Sequence, residues 1–337
     1  MRVLVYFKPK ESLDNFEGTR LRKTIKGALE INNIAHTSIE VDHYDVAHFI
    51  SLNDEARINT CLENHIPVVM SALYCESDPQ ASFLDYTNKK SKKTIQLSSK
   101  GYRVLNKVNL VLAPTEKAKQ FLIDSGITTP IEVVSPGINV SRFNLLRDDE
   151  KEIFYRYFQQ DKNKKLILAV GSYDNIDGVG AFISCAKKHP ECIFYYFTQS
   201  QGKMNRETRK LFKKSPKNCH SAPIPQDDIY RSALINSEIF MYVGYDTAGI
   251  VSVFEAMAAQ SEIIIRSQPL FDEILVNEDT CHIGQYSETL TAITNDYLDK
   301  KIYPTKNNAF KYATSQGLDV VGARLKEIYQ KLIKGEY

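Results

Sequence analysis

Short runs of aliphatic and β-branched residues recur through this chain, and a stretch with helical spacing follows most of them. Arg2–Phe7 reads as a buried strand, and Gly18 then precedes a helix to about Asn33 with Leu21, Ile25, Ala28 and Leu29 on one face. Further strands are expected at Tyr44–Ile50, Pro67–Ala72, Val108–Ala113 and Ile131–Val134, the last closing a sheet. Helices are expected at Asp54–Asn64 and Glu116–Ser125, the second with Thr115 as its N-cap. Ser135-Pro136-Gly137 punctuates the pattern, and the charged segment Arg147–Lys165 reads as a linker with a helix. The alternation then resumes with strands at Leu166–Gly171, Cys192–Phe197, Ile239–Val243 and Glu262–Ile265. A last helix over Asp319–Ile333 carries Val320, Val321, Leu325, Ile328, Tyr329 and Leu332 on one face. Strands separated by helices fit a parallel sheet with helices on both faces. Two such sheets facing each other make a cleft, with ligands at the carboxyl ends of the strands.

A length of 337 residues fits two domains. The division expected is residues 1–146, residues 147–318, and a C-terminal helix, 319–337, packing near the first domain. With 43% apolar and 25% charged residues the composition is that of a globular protein. No apolar run approaches the ~18 residues that suggest a membrane-spanning helix, and the N-terminal run is too short for a signal peptide and reads as a first strand. The six cysteines are scattered without a paired spacing, which favours a reducing cytoplasm over a disulfide framework and gives no metal site. Net charge is only +2, yet Tyr86–Thr115 holds no acidic residue. Lys89, Lys90, Lys92, Lys93, Lys100, Arg103 and Lys107 lie there among apolar neighbours, a pattern suited to an anionic membrane surface or to a solvated helix face. No aromatic platform or binding motif accompanies the charge, so nucleic acid is not expected as a partner.

The stretch from Asp246 to Ala259 carries the most chemistry. An acidic residue opens a turn, Gly249-Ile250-Val251 follows, and Glu255 sits near the start of a small-residue helix. Free backbone N–H groups at a helix N-terminus suit a phosphate-bearing ligand, and a nearby carboxylate can accept from ribose hydroxyls. Gly171 and Ser172 end a strand where backbone can approach a ligand closely. Gly18, Thr19 and Arg20 open the first helix, where N–H groups could meet phosphate or an acceptor.

Taken in order, four places resemble the GT-B glycosyltransferases of family 4, in particular the bacterial diacylglycerol glucosyltransferases. Tyr44-Asp45-Val46-Ala47-His48 resembles the family's D-V-V-H strand, and Val133–Asn139 its P-N-G-I-D junction. Val170-Gly171 with Gly178-Val179 resembles its donor loop. Thr247–Val251 with Glu255-Ala256-Met257-Ala258 resembles its donor signature of two Glu separated by seven residues. The resemblance implies an α/β fold of two Rossmann-like domains facing across a cleft. It implies a donor site of Gly171, Ser172, Gly249, Ile250, Val251 and Glu255, with Glu255 on the ribose and Asp246 as the hexose-binding, catalytic carboxylate. On the acceptor and phosphate side it implies Gly18, Thr19, Arg20 and the carboxylates Glu76 and Asp78.

The chain also departs from that pattern. The family's donor-loop Arg and Lys are replaced by Ser172-Tyr173-Asp174-Asn175-Ile176-Asp177-Gly178. Thr247 stands at the strict position of the first signature Glu, and Asp246 reaches it only with one extra residue before Glu255. The family's His after the fourth strand falls at Leu73, so His48 or His43 would have to substitute from elsewhere, and Lys203, Arg206 or Arg209 would have to replace the lost cations. Two functions are therefore expected. One is a retaining hexosyltransferase that uses a nucleotide sugar, UDP-glucose or UDP-galactose, on a lipid or glycolipid acceptor, with no cofactor or metal, in the cytoplasm or on the inner face of the cell membrane. The other is a catalytically degenerate relative serving as a protein partner of an active glycosyltransferase.

Overall fold

The computed structural model describes residues 1–7, 17–72, 97, 99–171, 176–198, 204, 206–243, 250–268 and 271–337. The first unit holds β1 (Arg2–Tyr6), α1 (Glu17–Ile31), β2 (Ala35–Thr37), β3 (Val46–Phe49), α2 (Glu55–Glu63) and β4 (Val68–Ser71). It continues through α3 (Ser99–Leu105), β5 (Leu110–Ala113), α4 (Glu116–Asp124) and β6 (Ile131–Val133). Three short helices follow: α5 (Ser141–Asn144), α6 (Asp148–Lys151) and α7 (Ile153–Phe158). The second unit holds β7 (Leu166–Gly171), α8 (Ile176–Lys188), β8 (Ile193–Thr198), α9 (Arg206–Lys213), β9 (Cys219–Pro223) and α10 (Asp227–Asn236). Then come β10 (Ser237–Tyr242), α11 (Ile250–Ala258), β11 (Glu262–Ile265), β12 (His282–Ile283), α12 (Ser287–Leu298), α13 (Lys306–Ser315) and α14 (Leu318–Ile333).

Each unit is a six-stranded sheet, ordered β2-β1-β3-β4-β5-β6 in the first and β12-β11-β10-β7-β8-β9 in the second. Every strand pair is parallel. Strands covered on both faces need unbroken apolar runs rather than alternation. β5 and β7 supply this throughout, and β3, β4, β8 and β11 do so apart from the buried His48, Ser71, Thr198 and Glu262, with every residue of the six buried. The strands that the sequence pattern missed, β2, β9 and β12, lie at or near sheet edges, where one face or less is covered and no such run is required. Thr115 caps α4 as expected, its Oγ1 accepting from the Ala118 N–H at 3.0 Å.

One expectation is extended and one corrected. The segment Arg147–Lys165, expected as a linker with a helix, does carry helices α6 and α7, but α7 is also anchored in the core. Phe154 of α7 is fully buried, meets the Tyr195 ring edge-on at 5.1 Å, and donates its backbone N–H to Ser232 Oγ at 3.0 Å. Its charged neighbours hid an aromatic core anchor. On α14, Val321, Leu325, Ile328, Tyr329 and Leu332 are buried, but Val320 is half exposed, because it lies one residue off the stripe.

α14 follows the second unit in sequence yet lies along α1 of the first. Gly322 permits this approach, since a Cβ there would collide with the Ala28 backbone. Tyr329 then places its hydroxyl 2.7 Å from His48 Nδ1, while His48 Nε2 lies 2.7 Å from Ser71 Oγ. His48 is fully buried, and burial drives its pKa down to about 3. Both ring nitrogens are engaged, one by Tyr329 of α14 and one by Ser71 of β4, so His48 has no free nitrogen to stand in for the missing family histidine. His43 is exposed beside Asp45, 3.8 Å away, and does not do so either.

The neutral His48 makes stability depend on pH. Unfolded, it protonates near its ordinary pKa of about 6.5, whereas folded it stays neutral down to about 3. Between those values the unfolded chain binds the extra proton, so this contribution is complete above about pH 6.5 and is lost as pH falls, by at most about 1.4 kcal/mol per pH unit. Denaturant midpoints of His48→Gln should therefore fall less steeply than wild type between pH 6 and 4. Parallel slopes would rule out this role.

Candidate donor site and the contact between the two units

In open parallel sheets, ligands sit where the strand order reverses, at the carboxyl ends of the strands. In the first sheet the reversal lies between β1 and β3, and in the second between β7 and β10. The second crevice is therefore flanked by Gly171, which ends β7, and by Val243, which follows β10. Chain crossings bring α11 to this edge N-terminus first, with Ile250 and Val251 buried in its first turn. Asp246 and Gly249, between Val243 and α11, and Ser172 after Gly171 lie outside the described residues, as do Glu76, Asp78, Lys89, Lys90, Lys92 and Lys93.

Glu255 lies one turn into α11 and is 4% exposed. Its Oε2 meets Arg20 Nε at 3.1 Å. Arg20 is the fourth residue of α1, in the other unit, and is 3% exposed. Its Nη2 donates to Ser252 Oγ at 2.6 Å, and its guanidinium carbon lies 5.1 Å from the Tyr230 ring centre on α10. Residues 252 and 255 share a helix face at i, i+3, so one planar fork grips both. Burial raises the Glu255 pKa. The Arg20 charge opposes that most, with Arg142 helping and Asp227 working against it. Arg142 and Asp227 are themselves an ion pair joining α5 to α10.

Two of the expected glycines have packing partners. A Cβ on Gly171 would lie 2.5 Å from the Tyr196 hydroxyl, and one on Gly18 would lie 2.6 Å from the Phe7 ring. Thr19 is buried beside Gly18 in the first turn of α1. Arg266, absent from the sequence reading, follows β11 at the same sheet edge and is fully buried. Its Nε donates to the Val243 carbonyl at 2.9 Å, Nη1 to Gln285 O at 3.3 Å, and Nη2 to Ser287 Oγ at 3.2 Å. A lone Arg directly after Ile263-Ile264-Ile265 was the available signal.

A second contact crosses between the units. The Glu273 carboxylate accepts the first backbone N–H groups of α4, from Glu116 at 3.1 Å and Lys117 at 2.8 Å, while Lys117 Nζ reaches Asp272 Oδ2 at 2.9 Å. Orphan donors in the first unit are thus capped from the second. In the described part of the basic segment one carboxylate serves two of the three cations. Arg103 and Lys107 both bind Glu55, at 2.7 and 3.3 Å, and Lys100 Nζ donates to Asn53 Oδ1 at 2.5 Å. The hydrogen bond from Arg103 is the main cause holding the Glu55 pKa down near 2. Arg206 and Arg209 sit on the exposed side of α9, where Arg209 donates to the Met204 carbonyl.

Two parallel-sheet units with reversal points at one edge, joined by a returning C-terminal helix, define the GT-B fold of glycosyltransferases. No protein-family model matches the chain. The chain resembles the processive diacylglycerol alpha-glucosyltransferase of Acholeplasma laidlawii, 23% identical over 342 residues that span 99% of each protein. In structure it resembles Anabaena HepE, solved with UDP-glucose, at TM-score 0.72 and 11% identity over 98% of this chain and 100% of that one. It also resembles a glycosyltransferase from Rickettsia africae at TM-score 0.66 and 14% identity, covering 99% and 98%.

The contact at Gly171 yields a direct test of packing. Gly171→Ala should destabilise the chain by about 1–3 kcal/mol through overpacking. Tyr196→Phe in the same chain removes the colliding hydroxyl and should recover most of that loss, read by urea unfolding. A double variant as unstable as Gly171→Ala would show that Tyr196 does not set the requirement.

Proposed function

We propose that the chain is a retaining glycosyltransferase that moves a hexose from a nucleotide sugar, UDP-glucose or UDP-galactose, to a membrane lipid or glycolipid. The observation that carries this reading is the α11 N-terminus at the strand-order reversal of the second sheet, with Glu255 one turn in. The full-length likeness to a lipid glucosyltransferase supports the choice of acceptor. On this reading the diphosphate meets backbone N–H groups at the start of α11, and Glu255 accepts from the ribose. Asp246 meets the hexose, and Gly171 and Ser172 border the donor. Leaving-group charge is taken up by these fixed dipoles, with no metal or cofactor required. Gly18 and Thr19, with Glu76 and Asp78, are assigned to the acceptor and phosphate side, and Arg20, expected with them, is engaged with Glu255 and Ser252.

We place the protein in the cytoplasm, peripheral on the inner face of the membrane. Among the described residues no helix is long and apolar enough to cross a bilayer. With Arg103 and Lys107 already paired to Glu55, the attraction to lipid is assigned mainly to Lys89, Lys90, Lys92 and Lys93. Changing these four to Gln should weaken binding to vesicles containing anionic lipid, and 0.5 M salt should do the same to the wild type (about 1 kcal/mol is expected per basic residue near the surface). Vesicle binding unaffected by both would remove the membrane assignment.

A second reading, a degenerate relative that partners an active glycosyltransferase, is favoured by the absence of Arg and Lys from the donor loop and the presence of Asp174 and Asp177. Calorimetric titration with UDP, UDP-glucose and UDP-galactose separates the two. Micromolar binding that falls about tenfold or more in Glu255→Gln, from loss of a charge-assisted hydrogen bond, supports the donor site. Absence of binding at millimolar ligand supports the partner reading.

A further inference from the structure

Arg20 stands in an unusual position for a cation of the first unit. Its guanidinium is buried inside the donor half of the cleft, against the first turns of α11 and the Tyr230 face of α10. A buried carboxylate without a cation loses its hydration without replacement and tends to protonate, which would turn an acceptor for hydroxyl protons into a donor. The other charges near Glu255 leave little help. Arg142 of α5 is committed to Asp227 of α10, and Asp227 itself acts on Glu255 as a like charge. Arg20 therefore makes the principal favourable electrostatic contribution at this carboxylate, and it arrives from the opposite unit.

We propose that Arg20 is the positioning residue of the nucleotide site: it holds the Glu255 carboxylate as a fixed acceptor for the ribose hydroxyls, so that the donor site of the second unit is complete only while the first unit is closed against it. The proposal rests on the donor reading above and adds to it a residue on the other side of the cleft. Arg20 acts on the nucleotide through Glu255 and Ser252. Nη2 donates to Ser252 Oγ while Nε stands in ion-pair contact with Glu255 Oε2, two contacts that a single ammonium reproduces poorly, so lysine is a poor replacement. Contacts between α4 and Glu273 and between α1 and α14 hold the same two units together independently of the nucleotide.

The test compares UDP with 2′,3′-dideoxyuridine diphosphate, which lacks the hydroxyls that Glu255 would accept. Wild type should prefer UDP by about tenfold or more, the value of one charge-assisted hydrogen bond. Arg20→Met, similar in length but uncharged, should lose most of that preference while its affinity for the dideoxy compound stays within about threefold, because the diphosphate is held elsewhere. A preference equal to wild type in Arg20→Met overturns the proposal and leaves the donor site standing. Failure of the wild-type chain to bind UDP overturns the donor reading and this proposal together. Should Arg20→Met fail to fold, as removal of one partner of a buried pair can cause, Arg20→Lys decides. Its single ammonium cannot reach both Glu255 and Ser252 in the same plane, so the preference should fall at least about threefold, and an unchanged preference overturns the proposal.

Discussion

Parallel pairing is the constraint on which this molecule depends. A strand that must lie parallel to its neighbour cannot turn back directly, so each connection crosses the sheet and delivers the next element at the same edge. Both sheets obey this throughout. The reversals of strand order in each sheet then open a crevice at that edge, and the one in the second sheet brings Gly171, Val243 and Arg266 to the same edge. Nothing about catalysis is needed to explain why these residues meet. They meet because strands such as β7 and β11, apolar on both faces, have no other stable arrangement.

Electrostatics then join the two units. α14 ties back to α1 through close backbone approach and to the first sheet through Tyr329 and His48. Glu273 caps α4 from across the cleft, and Arg20 enters the second unit to meet Glu255. Such buried pairing gives little net stability over an apolar contact, because desolvation offsets much of the attraction, but it penalises any arrangement that leaves one partner alone. The consequence is geometric. Closed units satisfy the buried Arg20 and Glu255 together, and separated units must hydrate both.

The sequence was legible where burial is two-sided. β3, β4, β5, β7, β8 and β11 were found within a residue or two of their ends, since each is a mostly apolar run. Of the edge strands β6 was found, while β2, β9 and the two-residue β12 escaped, because β2 and β9 mix polar and apolar residues as edges permit. The α7 anchor Phe154 escaped because charge dominates its neighbourhood, and Val320 was misplaced by one position on a helical face. Glu255 was readable from its place in a recognisable signature. Its partner was not, since Arg20 lies 232 positions from Ser252 and no local rule links them.

The amino-acid sequence by itself determined the architecture: two parallel sheets, the helix that begins at Ile250, and the small residue Gly171 at a strand end. These follow from periodicity and from local backbone chemistry, which act over a few neighbouring residues. Tertiary structure alone decided that Arg20 faces Glu255, that Tyr196 reserves the space beside Gly171, and that Tyr329 occupies the ring of His48. Those pairings depend on where whole elements come to rest, and the contact that satisfies a buried charge or fills a gap is selected only once the chain has closed around it.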